Sequence, residues 1–290
     1  MKTTQDISES TLNDVWQDLL GETPDALGRP QASRLAFADP EFLLRRETRS
    51  VRFQLEMLKP ELAQTEAGIE HTLVVFGSAR FVSQEQALAQ LEEARQADDA
   101  RALRLAERAL ANSRWYEEAR QFAKLAATHT QRWPRHEQLY ICTGGGPGIM
   151  EAANRGAHEA GMASIAHNIV LPHEQKTNPY ATPELSFKFH YFALRKMHFM
   201  IRAKALVAFP GGFGTLDEMM EVLTLVQTRK ARPVPILLYG TDFWRQVWNP
   251  QALVDMGTIS EEDLGWYQCV DTPEAAWQAI CDFYTPHRKD

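Results

Sequence analysis

No stretch of this sequence approaches the roughly 20 consecutive apolar residues that a helix needs to cross a bilayer. The opening, Met1 to Ser10, is polar rather than basic and then apolar. Neither a membrane span nor a secretory leader is expected. Cysteine is scarce: Cys142, Cys269 and Cys281 lie far apart and form no CxxC pair. Such a scattered, odd set fits reduced thiols in a cytoplasmic protein better than a disulfide framework. The nine histidines fall into no HExxH or similar spacing, so no metal is expected. Positive charge is in deficit, with 31 Lys and Arg against 38 Asp and Glu. That balance argues against nucleic acid or an anionic membrane as partner. It leaves room for a small anion, because a phosphate site is built locally from a few groups. Apolar residues reach 44% without an excess of Gly or Pro, which is the composition of a globular chain with a sizeable core.

What is present is a set of short apolar runs alternating with helical patterns. Residues 1–66 read as a helical arm. Leu12 to Leu20 is amphipathic, Gly21 to Pro30 is turn-rich, and Pro40 to Leu62 reads as one longer helix. Residues 67–290 read as the main domain. Its β-rich runs are Thr72 to Phe76, Leu139 to Thr143, Ala163 to Leu171, Ala205 to Phe209 and Val234 to Tyr239, with Tyr267 to Val270 as a last short strand. Apolar strands alternating with helices predict βαβ units and a parallel sheet buried on both faces. The fold class is therefore α/β, a Rossmann-like doubly wound sheet. Between Arg80 and Leu139 the chain is too long for one crossover. The Ala-, Glu- and Arg-rich stretch around residues 83–114 predicts a helical hairpin inserted after the first strand, followed by a separate crossover helix from Tyr116 to Thr128. The stretch carrying Leu194-Arg195-Lys196 reads as helix through Lys204. Asp271 to Glu274 has the composition of a helix start leading to Tyr284.

Three glycine-marked loops stand at strand ends: Gly77-Ser78, Gly144 to Gly148, and Gly211 to Gly214. Ligands of open α/β sheets bind outside the carboxyl ends of the strands. Glycine lets backbone approach a ligand, and the following helix offers free N–H groups and the positive end of its dipole. The loops match neither a Walker loop nor a dinucleotide fingerprint, so a small phosphoester fits better than a polyphosphate. In Pro210-Gly-Gly-Phe-Gly-Thr-Leu-Asp-Glu218 the helix start can hold a phosphate while Glu218 reaches the ribose of the same ligand. Arg195 can meet Glu218 or the ligand. Taken alone, an acid near a helix start is ordinary. His167, Asn168 and the aromatic-rich segment Leu171 to Phe192, with Tyr180, Phe187, Phe189 and Tyr191, read equally as a base pocket or as core.

The nonapeptide 210–218 with Arg195-Lys196 upstream resembles the signature of the Lonely Guy (LOG) phosphoribohydrolases, often labelled lysine decarboxylase-like. Gly144-Gly-Gly-Pro-Gly-Ile-Met-Glu-Ala152 is similar to the first glycine loop of the bacterial AMP-nucleosidase-like branch. The resemblance covers about Thr72 to Tyr239. It implies a Rossmann-like fold and hydrolysis of nucleoside 5′-monophosphates to free base and ribose 5-phosphate, without cofactor or metal. It implies Arg195 and Glu218 as the catalytic pair; were Glu218 only an ordinary acid at a helix start, Glu151 and Glu221 would be the fallback carboxylates. It assigns the phosphate to Gly211, Gly212, Gly214 and Thr215, and the nucleotide to Ser78, Gly145, Gly146 and Met150. It also implies a homodimer or higher homo-oligomer. In the mechanism an anionic Glu218 stabilises the ribosyl cation and activates water. Arg195 orients Glu218, lowers its pKa or contacts the phosphate. Two rivals stand beside this reading. One is a noncatalytic nucleotide carrier on the same fold. The other is a pyridoxal-phosphate decarboxylase using Lys196 or Lys204.

Overall fold

The structure is a computed structural model and describes residues 35–97, 99–170 and 176–285. The expected features at Leu12 to Leu20 and Gly21 to Pro30 lie outside the described residues. The chain divides into two compact units, 1–54 and 55–290.

In the first unit, α1 (Pro40–Leu44) starts on Asp39, whose carboxylate accepts from the N–H groups of Glu41 and Phe42 at 3.0 and 3.2 Å. Proline at the first helical position suits this start, since that N–H would have no partner anyway. The single helix expected over Pro40 to Leu62 is interrupted. It stops after Leu44, and α2 (Arg49–Glu66), whose residues from Leu55 onward belong to the second unit, begins anew. The Thr48 hydroxyl lies 2.9–3.0 Å from the carbonyls of Phe42, Leu43 and Arg45 and offers them the donor that the broken helix withdraws.

The second unit is built on seven strands: β1 (His71–Phe76), β2 (Leu139–Thr143), β3 (Ile165–Ile169), β4 (Ser186–Phe189), β5 (Ala203–Ala208), β6 (Ile236–Tyr239) and β7 (Gln268–Val270). Every pair is parallel, in the order β4-β3-β2-β1-β5-β6-β7. Leu73, Val74 and Val75 at the centre are buried from both faces, as their uninterrupted apolar run requires. The helices are α3 (Gln84–Gln96), α4 (Ala100–Thr130), α5 (Ile149–Glu159), α6 (Phe192–Ile201), α7 (Phe213–Gln227), α8 (Thr241–Val247), α9 (Pro250–Asp255) and α10 (Pro273–Tyr284). The chain runs from β1 outward to β4, crosses back to β5 and runs outward again. Right-handed crossovers in opposite directions place α4 and α5 on one face and α6 and α7 on the other. Close packing of α4 on α5 relies on small residues: an added Cβ at Gly156 would collide with the Arg120 carbonyl.

Several boundaries differ from the expected ones. The insert and the crossover helix are not separate, because α4 runs unbroken from the outer hairpin into the core. The outer end of the hairpin has its own small cluster of Leu91, Ala94 and Ala106. The strand expected over Ala163 to Leu171 is confined to Ile165–Ile169, and the aromatic segment supplies the edge strand β4. The helix expected to reach Lys204 ends at Ile201. Thr72 pairs there instead, donating its N–H to the Arg202 carbonyl at 2.8 Å and facing Ala203 in register. The last helix starts as expected, with the Thr272 hydroxyl accepting from the Ala275 N–H at 3.1 Å. Among the described residues no helix is long and apolar enough to cross a membrane. None of their His, Cys, Asp and Glu side chains gather in threes that could hold a metal ion.

Candidate active site

The strand order reverses direction at β1 and β5, which lie side by side at the centre of the sheet. Helices leaving two such strands go to opposite faces, so a crevice opens at their carboxyl ends. A cleft of about 710 Å³ occupies that place. Its walls are residues 76–80, Met150, Phe192, Arg195, residues 211–218, Phe243 and Val247.

Backbone contacts bind the strand-end loops to one another. The Ser78 N–H donates to the Pro210 carbonyl at 3.0 Å, and the Ile149 N–H donates to the Ser78 carbonyl at 3.1 Å. Gly148, at φ +73°, takes a conformation that disfavours any side chain, and an added Cβ would strike the Ser78 carbonyl. At Gly211 an added Cβ would strike the Thr215 hydroxyl. These two glycines are required by close approach, not only by turning.

The α7 helix opens into the cleft with Gly212 as its N-cap. No side chain caps it, and no acid sits in its first turn. Its first N–H groups and the positive dipole end are left for an anion. Thr215 is buried beside Gly211, while Phe213 stands 93% exposed at the rim. On the same helix Glu218 is only 6% exposed. Among the described residues no hydrogen bond reaches its carboxylate. Arg195, on α6, places Nη1 3.8 Å from Glu218 Oε1, which is an ion pair rather than a hydrogen bond. The Arg195 Nε donates to the His167 carbonyl at 2.7 Å, and its guanidinium lies 5.0 Å from the centre of the Phe199 ring.

Loss of water around Glu218 raises its pKa from the usual 4.5 to about 7. Arg195 and then Lys196 oppose this, while Glu221 and Asp217 add to it. The expected lowering by Arg195 is present, but desolvation outweighs it. The fallback carboxylates are committed elsewhere. Glu151 accepts from the Tyr116 hydroxyl at 2.8 Å, and Glu221 lies 3.0 Å from the Lys196 ammonium.

Of the residues singled out in the sequence, Ser78, Met150, Arg195, Gly211, Gly212, Gly214, Thr215 and Glu218 meet in this cleft. Gly145 and Gly146 do not line it. Both are buried in a loop fixed from behind by a polar network that sequence reasoning missed. The Asn178 N–H donates to the Gly145 carbonyl at 2.9 Å, and its Nδ2 reaches the Gly146 carbonyl at 3.2 Å and Asn154 Oδ1 at 2.9 Å. Thr143 and Ser164 complete the network at 2.7 and 2.9 Å from Asn154. Arg80 was also missed as a cleft residue, although a cation just beyond a strand's carboxyl end was a readable signal. Of the two readings open for His167 and the aromatic segment, core holds for part of it. His167, Phe187 and Phe189 are buried core, with the imidazole among Phe187, Phe189, His198 and Phe199. Among the described residues of the aromatic segment, only Phe192 faces the cleft. Leu171 lies outside the described residues.

Comparison with known proteins adds the following. Residues 150–280 match the family described as "possible lysine decarboxylase". A protein of Oryza sativa subsp. japonica, named as a probable cytokinin riboside 5′-monophosphate phosphoribohydrolase, is 33% identical over 97 residues, which are 32% of this chain and 38% of the relative. The chain thus spans less than two fifths of that relative's length. Among solved structures, a molybdenum cofactor binding protein from Rippkaea orientalis is 19% identical with a TM-score of 0.42, over 59% of this chain and 88% of that one. A structural-genomics target is 18% identical with a TM-score of 0.45, over 73% and 99%. A molybdenum cofactor carrier protein from Chlamydomonas reinhardtii is 19% identical with a TM-score of 0.43, over 75% and 99%.

Proposed function

We propose that this chain hydrolyses the N-glycosidic bond of nucleoside 5′-monophosphates, AMP or a related purine or cytokinin nucleotide, giving free base and ribose 5-phosphate. We place it in the bacterial AMP-nucleosidase-like branch of the Lonely Guy family, with residues 67–290 as the catalytic part. One observation carries the reading. Glu218, a buried carboxylate with no hydrogen bond among the described residues, shares a helix with an uncapped N-terminus that opens into the same cleft. From Gly214 to Glu218 the helix advances about 6 Å, the scale of the span from a 5′-phosphate to C1′ of the same nucleotide. A 5′-phosphate on the N–H groups of 212–215 and the Thr215 hydroxyl therefore brings C1′ toward Glu218.

As the C1′–N bond breaks, the ribose gains oxocarbenium character, and the Glu218 carboxylate stabilises it. The same carboxylate takes a proton from the attacking water as its oxygen bonds to C1′, and that proton passes on to the departing base, so that neutral base and ribose 5-phosphate result. A pKa of about 7 suits a general base at neutral pH. Arg195 holds part of Glu218 ionised against its burial and supplies positive charge on the phosphate side. Ser78 and Met150 contact the nucleotide, and Gly145 and Gly146 shape its loop. Phosphate binding away from the scissile bond supplies the positioning energy. A decarboxylase with pyridoxal phosphate needs a lysine free to form a Schiff base. The residues do not fit it. Lys196 is held charged between two carboxylates, and Lys204 sits at the opposite end of β5 with its ammonium 5.7 Å from the Tyr284 ring centre.

The expected homodimer or higher homo-oligomer and the cytoplasmic location belong to this proposal. The cysteines fit the latter, since Cys142 and Cys269 are free thiols. The test is a panel of nucleoside monophosphates and nucleosides, with free base and ribose 5-phosphate assayed. AMP should be cleaved far faster than adenosine. Equal rates would remove the phosphate anchor, and tight nucleotide binding without base release would make the protein a carrier instead.

A further inference from the structure

We propose that Lys196 is a positioning residue for Glu218: its ammonium ties α6 to the two acidic side chains that flank Glu218 on α7 and neutralises them. The proposal rests on the reading above, in which Glu218 is the reacting carboxylate.

The geometry is specific. Arg195 and Lys196 are neighbours on α6, yet they serve different parts of α7. Arg195 faces Glu218, while Lys196 Nζ lies 2.9 Å from Asp217 Oδ2 and 3.0 Å from Glu221 Oε2. The Lys196 side chain is only 17% exposed, but Asp217 is 56% and Glu221 33% exposed, so solvent weakens the pair with Asp217 more than the pair with Glu221. Asp217, Glu218 and Glu221 crowd three carboxylates into one turn of helix. Like charges so placed oppose ionisation of the buried member. One ammonium between the outer two removes most of that opposition and fixes the spacing of α6 against α7.

The charged groups around Glu218 are Arg195 and Lys196 from α6, Asp217 and Glu221 from its own helix, and Arg80 on the wall of the same cleft. Cys142 and His167 interact with Arg195 and are held neutral by burial. Lys196 lowers the pKa of Glu218, and both acids that it binds raise it. Without Lys196, three carboxylates would be opposed only by Arg195 and, at the cleft wall, Arg80. The Glu218 carboxylate would then form only at higher pH.

The test reads Glu218 directly by carboxyl-¹³C NMR titration of glutamate-labelled protein, with Glu218→Gln identifying the resonance. The wild-type inflection is expected near pH 7. Lys196→Met should move it up by about one pH unit, and Lys196→Arg should leave it within a few tenths. Asp217→Asn combined with Glu221→Gln keeps the ammonium and removes its partners, so it should move the inflection down. That double variant tests the proposal even if Lys196→Met fails to fold. In turnover, Lys196→Met should lower kcat/KM about fivefold at pH 7 and less than twofold at pH 9, following the ionised fraction. An inflection unmoved in both variants, or an equal loss of activity at every pH, overturns the proposal. The titration needs no turnover, so a wild-type protein that releases no base counts against the hydrolase reading alone.

Discussion

Glu218 is placed where an ionised carboxylate is costly, and the cost can be measured. Its folded pKa of about 7 lies above the usual 4.5 because burial removes water from the charged form. The folded state therefore binds the Glu218 proton more tightly than the unfolded state does. The resulting stability is fully present below pH 4.5 and is lost as the pH rises through 7. At about 1.4 kcal/mol per pKa unit, the loss comes to roughly 3 kcal/mol. Glu218→Gln cannot ionise there. Its melting temperature relative to wild type should thus rise between pH 5 and pH 8 in scanning calorimetry, whereas a constant offset would deny the burial effect. The same variant should lower kcat by roughly 10²-fold or more with AMP binding near wild type, because the lost stabilisation belongs to the transition state. Thr215→Ala should instead weaken AMP binding, since it removes a phosphate contact. Single-turnover rates and equilibrium binding separate the two effects. The pairing of Arg195 with Glu218 was legible in the motif. The direction of the Glu218 pKa was not, because spacing in a sequence does not report how much water a fold removes.

At the scale of elements, α4 holds the main departure from expectation. Asn112-Ser113 looks like a break between an insert and a crossover helix, because both residues favour caps and turns over helix interiors. The helix continues because Trp115 and Tyr116 are drawn into the core immediately afterwards, and Ser113 turns its hydroxyl to the Leu110 carbonyl at 2.8 Å. Packing overrides a weak local preference here. The two halves of α4 are held very differently. From residue 115 onward one face is buried against the sheet and α5, while the outer half rests on the small cluster of Leu91, Ala94 and Ala106. Amide hydrogen exchange should be faster across α3 and residues 100–110 than across residues 116–127. Uniform protection along α4 would show that the hairpin opens only with the whole domain. The network behind the Gly144 to Gly148 loop escaped the sequence for another reason. Thr143, Asn154, Ser164 and Asn178 look singly like turn or surface residues, and only the parallel stacking of their elements brings them together.

For the molecule as a whole, the alternation of apolar strands and helices made the parallel sheet legible, including the strand ends that carry the cleft. The order of the strands was not legible, because a right-handed crossover can step to either side of its starting strand. That order decides which loops meet. β1 and β5 become neighbours although three strands separate them in the chain, and so the loop at Ser78 meets the helix carrying Thr215 and Glu218. The central place of β1 also bears on how the chain leaves the ribosome. Once synthesis has passed Phe189, β1 to β4 can pair as half a sheet, but the other side of β1 has no partner until Ala203–Ala208 follows. During that interval Leu73, Val74 and Val75, fully buried in the finished protein, lie along an open strand edge. Open apolar edges recruit other chains. A fragment ending at Phe189 should therefore aggregate under conditions in which the full chain stays dispersed, as light scattering would report, and extending it through Phe209 should relieve the aggregation by closing that edge.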